Sequence, residues 1–144
     1  MRILISACLL GLCCRYDGQS RECPEAVRLL ETHELVPVCP EQLGGLPTPR
    51  PPAEICGGRV ATRTGEDVTE AYRKGAREAL RLYALTGCEC AVLKAGSPSC
   101  GRDMIYDGSF TGRKIPGMGV TARLLAERGI PVYSEEDLRR IPAP

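Results

Sequence analysis

The sequence contains very little histidine, and this scarcity excludes several kinds of functional site. His33 is the single histidine among 144 residues. Zinc sites of the Cys/His type, Cys–His nucleophile pairs and zinc deaminases all require histidine close to cysteine or carboxylate. The composition therefore disfavours these three classes of protein.

The sequence also lacks a charge surplus and a long apolar run. Nineteen basic residues face 18 acidic ones, whereas proteins that bind long duplex nucleic acid normally show a strong basic excess. No stretch approaches the roughly 18 apolar residues of a membrane span, and cysteines, Gly11 and Arg15 interrupt the apolar start that a signal peptide would need. We therefore expect a cytoplasmic protein with one domain, residues 1–144, no membrane association, no DNA partner and a disfavoured RNA partner.

Cysteine, by contrast, is abundant, with nine residues in the chain. An odd number of cysteines, a chain long enough for a sizeable core and no secretion signal argue against a disulfide framework. Metal binding, redox chemistry and simple burial of a small apolar side chain remain as explanations.

The alternation of apolar runs and helical patterns predicts an α/β fold. The runs are typical of strands buried on both faces of a parallel sheet, and they lie at residues 2–7, 35–38, 90–94 and 130–133. Helical patterns lie at residues 24–34, 69–87, 119–129 and 134–141. This order predicts a small doubly wound, Rossmann-like parallel sheet with strand order 2-1-3-4. A short insert, residues 44–67, follows the second strand, and we expect a hairpin there with its turn at Thr64-Gly65.

Three cysteines follow predicted strands, and their position predicts a shared site. Cys8, Cys39 and Cys100 come after the first, second and third strands, and parallel sheets bind ligands at the carboxyl ends of their strands. Three thiols without histidine leave a tetrahedral zinc site incomplete, although water or Glu41 could complete it. Three thiolates and one open iron suit a [4Fe–4S] cluster that acts as a Lewis acid. The remaining alternative is that these cysteines only pack at strand ends.

The other six cysteines match no motif as well as these three. Cys13-Cys14 and the pair Cys88 and Cys90 have the spacing of redox or metal pairs, but the second pair is predicted at the opposite edge of the sheet. Buried or incidental thiols are therefore favoured at all four positions. No role is assigned to the remaining two, Cys23 and Cys56.

Five ordered motifs carry a resemblance to a known family. They are SACLLG (6–11), RYDG (15–18), VCPEQLGGLPTPRPPAEI (38–55), KAGSPSCG (94–101) and IYDGSFTGRKIPGMGVTARLL (105–125). Together they resemble a family of small bacterial proteins long known only as a domain of unknown function, whose characterised type is thiouracil desulfurase. The match runs from Ile3 to about Tyr133.

The resemblance implies an activity and a cofactor. The activity is replacement of the sulfur of a thiolated pyrimidine by oxygen, without net redox change. The cofactor is an oxygen-sensitive [4Fe–4S] cluster held by only three cysteines, and the motif cysteines of the family correspond to Cys8, Cys39 and Cys100.

Such a reaction needs an activated water and proton delivery beside the Lewis acid. Glu41 follows Cys39 by two residues and is predicted to be the general base, with a structural capping role as the alternative. Ser97 is predicted to bond the substrate or relay a proton, as the resemblance suggests, while Ser99 is expected to satisfy loop backbone.

Residues 106–119 are punctuated by glycine and are interpreted as a lid or a substrate-facing loop. Tyr16 or Phe110 could stack on a pyrimidine, although packing is favoured for both. Arg50 and Arg113 could contact the substrate or a departing sulfide, the alternative being that both are solvated.

Two functions from other classes remain open at this stage. One is a cluster- or zinc-bearing module that senses metal or redox state without catalysis. The other is an enzyme that removes sulfur from thiolated nucleosides in RNA. The sequence does not predict the oligomeric state or the physiological thiolated base.

Overall fold

The computed structural model describes residues 1–143. The elements follow in the order β1 (Arg2–Ser6), a 3-10 turn (Ala7–Leu10), α1 (Pro24–Val27), a 3-10 turn (Arg28–Glu31), β2 (Glu34–Val38), α2 (Pro40–Leu43), β3 (Ala53–Cys56), β4 (Arg59–Thr62), α3 (Thr69–Thr86), β5 (Cys90–Val92), β6 (Met104–Tyr106), β7 (Lys114–Pro116), α4 (Val120–Glu127), β8 (Val132–Tyr133) and a 3-10 turn (Leu138–Arg140). None of the helices in this part of the chain combines the length and the hydropathy that crossing a bilayer requires.

The predicted parallel sheet and its strand order are confirmed. The four strands lie in the order β2-β1-β5-β8, and each neighbouring pair is parallel. Strand β1 is central: its residue Ile3 pairs with Leu35 of β2 on one side and with Cys90 of β5 on the other. The switch in strand order on either side of β1 brings the ends of β1, β2 and β5 together.

Both faces of this sheet are covered, as the continuous apolar runs predict. Ile3 and Ile5 of β1 pack into one apolar cluster with Ala26 of α1. Leu4 points the other way and packs into a second cluster with Ala79 of α3 and Leu125 of α4. All six side chains are fully buried. Because successive side chains of β1 point to opposite faces of the sheet, this strand packs against helices on both faces.

Two predicted helices are shorter than their sequence patterns indicate. The predicted helix 24–34 is one α-helical turn followed by a 3-10 turn, and Ala26 is its only buried residue. Most helical stability comes from packing of an apolar face, which this segment lacks. In the predicted helix 134–141, the Asp137 carboxylate accepts a hydrogen bond from the Ser134 N–H at 2.7 Å, and only a short 3-10 turn follows. Such side chain–backbone bonds compete with the helix.

The insert after β2 contains the expected turn at Thr64-Gly65, across which Ala61 pairs antiparallel with Asp67, and a further hairpin that precedes it. Strands β3 and β4 pair antiparallel around Gly57-Gly58, whose φ angles are 59° and 79°. Two consecutive residues with positive φ form the tight hairpin turn that glycine favours. The segment interpreted as a lid or loop forms a second hairpin, in which β6 pairs with β7.

Helix α2 lies on α3 with almost no space between the two backbones. A Cβ atom added at Gly44 would lie 2.0 Å from the carbonyl oxygen of Ala71 in α3. One added at Gly75 in α3 would lie 2.0 Å from the carbonyl oxygen of Pro40. Backbone atoms cannot move aside as a flexible side chain can, so this approach requires glycine on both sides. It explains why a glycine lies in the middle of the longest helix.

We expect Gly75→Ala to destabilise the protein, although alanine is the better helix former. The added methyl group overpacks the α2–α3 contact, and overpacking costs roughly 1–3 kcal/mol. Lys74→Ala, at the exposed neighbouring position of α3, is the control and should change stability little. Urea unfolding followed by circular dichroism measures both variants. A Gly75→Ala protein as stable as the parent would show that α2 is free to move away from α3.

Candidate active site

A cavity of about 680 Å³ lies at the carboxyl edge of the sheet. Its wall includes the residues that follow β1, β2 and β5, in agreement with the strand order. All five predicted site residues line this cavity: Cys8, Cys39, Glu41, Ser97 and Cys100. The structure therefore brings together side chains that are far apart in the chain, such as Cys8 and Cys100, which are 100 − 8 = 92 positions apart.

Two of the three cysteines are deeply placed at the end of their strands. Cys8 lies in the 3-10 turn directly after β1 and is 8% exposed, and Cys100 is 5% exposed. Burial raises the pKa of Cys8 to about 11 and the pKa of Cys100 to about 12. Both are neutral thiols near pH 7 in the metal-free chain, and a metal that binds them would displace their protons.

Cys39 differs from the other two because a fourth cysteine lies beside it. A hydrogen bond from the Cys14 thiol lowers the pKa of Cys39 to about 6, against the opposing effect of burial. The Cys39 Sγ atom also lies 3.6 Å from the carbonyl oxygen of Cys14. Cys14 is buried and lines the same cavity. The sequence analysis treated Cys14 as incidental, and the only signal for its position was its short distance along the chain from Cys8.

The donor set is compatible with an iron–sulfur cluster. Thiolates are the usual ligands of such clusters, and three separate strand ends supply thiols to one cavity. The single histidine, His33, lies at the opposite edge of the sheet, beside the N-terminal amine at 3.2 Å. Within residues 1–143, no three side chains of His, Cys, Asp and Glu are close enough to hold one metal ion.

Glu41 is held in a fixed orientation by two partners. Arg50 donates from Nη2 to Glu41 Oε2 at 2.8 Å, and the Tyr72 hydroxyl donates to Glu41 Oε1. Burial and the adjacent carboxylate raise the pKa of Tyr72, so the phenol remains a donor. Each carboxylate oxygen keeps a further lone pair for another donor. Glu41 is thus an oriented acceptor at the cavity wall.

The proline-rich loop after α2 serves to bury Arg50 beneath Glu41. The Arg50 side chain is only 3% exposed, which rules out the alternative of a solvated arginine at this position. Its guanidinium also donates to the carbonyl oxygens of Pro47 at 3.2 Å and Cys14 at 3.0 Å. The Arg50 Nε atom is buried and has no hydrogen-bond partner within the described chain. One side chain therefore ties the loop to Glu41 and to the segment that carries Cys14.

Ser97 shapes the loop that carries Cys100. The backbone N–H groups of Ser99 and Cys100 both donate to Ser97 Oγ at 3.0 Å. The Ser99 hydroxyl instead bonds Thr121 of α4 at 2.8 Å, so the expectation that Ser99 satisfies loop backbone was wrong. These two bonds use both lone pairs of Ser97 Oγ as acceptors. The O–H of Ser97 is not used by them and can still donate a hydrogen bond.

The two hairpins complete the cavity on the side away from the sheet. Tyr106 and Phe110 of the second hairpin line it, as does Tyr16 from the loop after β1. Arg113 is exposed, pairs with Asp107 at 3.9 Å and does not line the cavity, which agrees with the alternative of a solvated arginine.

Comparison with known proteins agrees with this geometry. The family model for 2-thiouracil desulfurase matches residues 3–137. The chain belongs to the 2-thiouracil desulfurase family. The match confirms the resemblance found from the five sequence motifs.

Two relatives of this family member cover nearly the whole chain. The uncharacterised protein YbbK of Bacillus subtilis (strain 168) is 44% identical over 149 residues, which cover 96% of this chain and 99% of YbbK. The solved structure of the [4Fe–4S]-dependent thiouracil desulfidase TudS is similar with a TM-score of 0.90 and 46% identity. That similarity covers 96% of this chain and 93% of TudS.

We expect Arg50→Leu to destabilise this desulfurase-family chain by roughly 3–5 kcal/mol, because it leaves the Glu41 carboxylate without its buried cation. The matched control is Arg73→Leu, which breaks an exposed pair with Glu70 and should cost less than about 1 kcal/mol. Thermal and urea unfolding compare the two. In the double variant Arg50→Leu/Glu41→Gln, part of the lost stability should return, and no recovery would show that the ion pair is not the cause.

Proposed function

We propose that the protein is a desulfurase that replaces the thiocarbonyl sulfur of a thiolated pyrimidine by oxygen. The observation that carries the proposal is the meeting of Cys8, Cys39 and Cys100 with an oriented Glu41 in one cavity. Support comes from the family of the chain and from its similarity along almost its full length to a thiouracil desulfidase.

The reaction balances without an oxidant or a reductant. Water adds its oxygen to the ring carbon, the carbon–sulfur double bond is lost, and the carbon–oxygen double bond of the pyrimidine forms. The sulfur leaves as hydrogen sulfide. The two protons of water are redistributed to the sulfur, so the side chains need to move protons but not electrons.

Cys8, Cys39 and Cys100 are the proposed ligands of a [4Fe–4S] cluster. When bound, the cluster supplies a Lewis-acidic iron with affinity for a soft sulfur atom. The residues around it hold the loops in place: the 3-10 turn orients Cys8, Cys39 directly precedes α2, and Ser97 Oγ accepts a hydrogen bond from the backbone N–H of Cys100.

Glu41 is the proposed general base. Its carboxylate lies two residues beyond Cys39 and lines the cavity in which a ligand of the cysteines would lie. Arg50 and Tyr72 orient the carboxylate, and each of its oxygens keeps a lone pair that can take a proton from water. Ser97 is the proposed donor toward the substrate, because its O–H is the part of the hydroxyl that the loop does not use.

The test of the proposed function is an anaerobic assay with the reconstituted protein. Analysis of iron and acid-labile sulfide is expected to show four of each per chain, as a [4Fe–4S] cluster requires. Incubation with 2-thiouracil should release sulfide and form uracil, followed by the ultraviolet band of the thiocarbonyl. A loaded protein that releases no sulfide from any thiolated pyrimidine would instead be a cluster-binding module without this catalysis.

We expect single Cys→Ala changes at positions 8, 39 and 100 to abolish the brown colour of the cluster or to reduce its iron content sharply. Changes at five of the six other cysteines should keep both; these are Cys13, Cys14, Cys23, Cys56 and Cys88. Iron analysis of each variant after the same reconstitution is the measurement. Cys14→Ala is the most demanding control, because Cys14 lies beside Cys39. Full loading of Cys100→Ala, or loss of iron in Cys14→Ala, would contradict this ligand set.

We expect Glu41→Gln to reduce turnover by roughly 10²–10⁴-fold, the usual contribution of a positioned general base. Glutamine keeps the shape of the side chain and one acceptor for Tyr72 or Arg50, so the cluster should still assemble. Steady-state kinetics and iron content are measured together. Glu70→Gln, on the exposed face of α3, is the control and should leave turnover unchanged. A fully loaded Glu41→Gln protein with the parent rate would place the base elsewhere.

A further inference from the structure

Phe110 occupies an unusual backbone position at the end of the second hairpin. It is the only phenylalanine in the sequence and the only non-glycine residue within the described chain with a positive φ, at 58°. A bulky side chain rarely adopts this left-handed conformation, which costs of order 1–3 kcal/mol and persists only where the surroundings enforce it. The strain therefore needs a structural cause.

Glu54 of β3 supplies that cause. Its Oε1 atom accepts hydrogen bonds from the backbone N–H of Gly108 at 3.0 Å and of Phe110 at 3.1 Å. Gly108 lies against β3 so closely that an added Cβ atom would be 2.7 Å from the Cβ of Cys56. One carboxylate of the first hairpin thus fixes the tip of the second hairpin and the direction of the Phe110 side chain.

Packing does not explain the Phe110 ring. Phe110 belongs to none of the three apolar clusters that form the core of residues 1–143. Phe110 lines the cavity that also contains Cys8, Cys39 and Cys100. The guanidinium of Arg63 lies 5.8 Å from the ring centroid, within the range of a cation–π contact.

We propose that Phe110 determines substrate specificity by stacking on the planar ring of the thiolated pyrimidine. This inference rests on the proposed function and extends it to ring recognition. An aromatic side chain suits the task because it offers a large flat contact and loses little conformational entropy. Fixing its backbone through Glu54 removes more of that entropy before the substrate binds.

Three substitutions of Phe110 distinguish the effect of aromatic stacking from the effects of side-chain volume and of backbone strain. Ala, Leu and Tyr all carry a Cβ atom, so Phe110→Ala, Phe110→Leu and Phe110→Tyr leave the left-handed strain in place. Loss of base–aromatic stacking is worth a factor of roughly 5–150 in affinity. We expect Phe110→Ala and Phe110→Leu to raise KM for 2-thiouracil by such a factor with kcat within twofold. Phe110→Tyr should match the parent.

Binding of uracil is the second measurement, by equilibrium dialysis with each variant before and after cluster reconstitution. Uracil has the ring but no sulfur, so its affinity reports ring contact without a bond to iron. It should weaken in Phe110→Ala and Phe110→Leu and persist in Phe110→Tyr. Leu85→Ala, at a 68% exposed position of α3, is the control for a large-to-small change.

The outcomes are distinct from those that test the proposed function. If the parent protein releases no sulfide from thiouracil, the proposed function fails, whatever Phe110 does. If the parent is active and Phe110→Ala keeps both KM and uracil affinity within twofold, the stacking proposal is overturned. Parent-like Phe110→Leu also overturns it, because apolar bulk alone would then suffice. If Phe110→Ala does not fold, the comparison of Leu with Tyr decides.

Discussion

The close contact between α2 and α3 positions the polar half of the site. Gly44 and Gly75 allow the two backbones to approach to a distance that no Cβ atom would permit. Cys39 directly precedes helix α2, which carries Glu41, and α3 carries Tyr72. The glycine contact therefore sets both the hydrogen bond between Tyr72 and Glu41 and the place of Cys39 relative to the other cysteines.

The buried side chain of Arg50 holds Glu41 by an ion pair. A carboxylate removed from water is costly unless it is paired and hydrogen-bonded, and Arg50 provides a fixed cation for Glu41. Burying Arg50 has its own cost, which its bonds to the carbonyl oxygens of Pro47 and Cys14 offset. The loop that follows α2 contributes this cation, besides Leu46, which packs against an apolar cluster that includes Val60 and Tyr72.

The site thus divides between the sheet and the inserted hairpins. The sheet edge supplies thiols, which depend only on where strands end, while the two hairpins build the opposite wall of the cavity. Glu54 links the hairpins through two backbone hydrogen bonds at the tip of the second one. The three cysteines therefore lie at the sheet edge, whereas the aromatic side chains of Tyr106 and Phe110 lie on an inserted hairpin. Loops and insertions commonly carry specificity on a fixed scaffold in this way.

The sequence alone determined the class of the fold, the strand order and the meeting of Cys8, Cys39 and Cys100. Strand burial is visible in continuous apolar runs, and parallel topology places strand ends at one edge. Tertiary structure decided the rest: the place of Cys14 beside Cys39, the burial of Arg50 and the distinct roles of Ser97 and Ser99. These contacts join segments through irregular loops, where no periodic pattern records which side chain faces which. The helix predicted at 24–34 was shortened for a related reason, since packing rather than local pattern decides how far a helix extends.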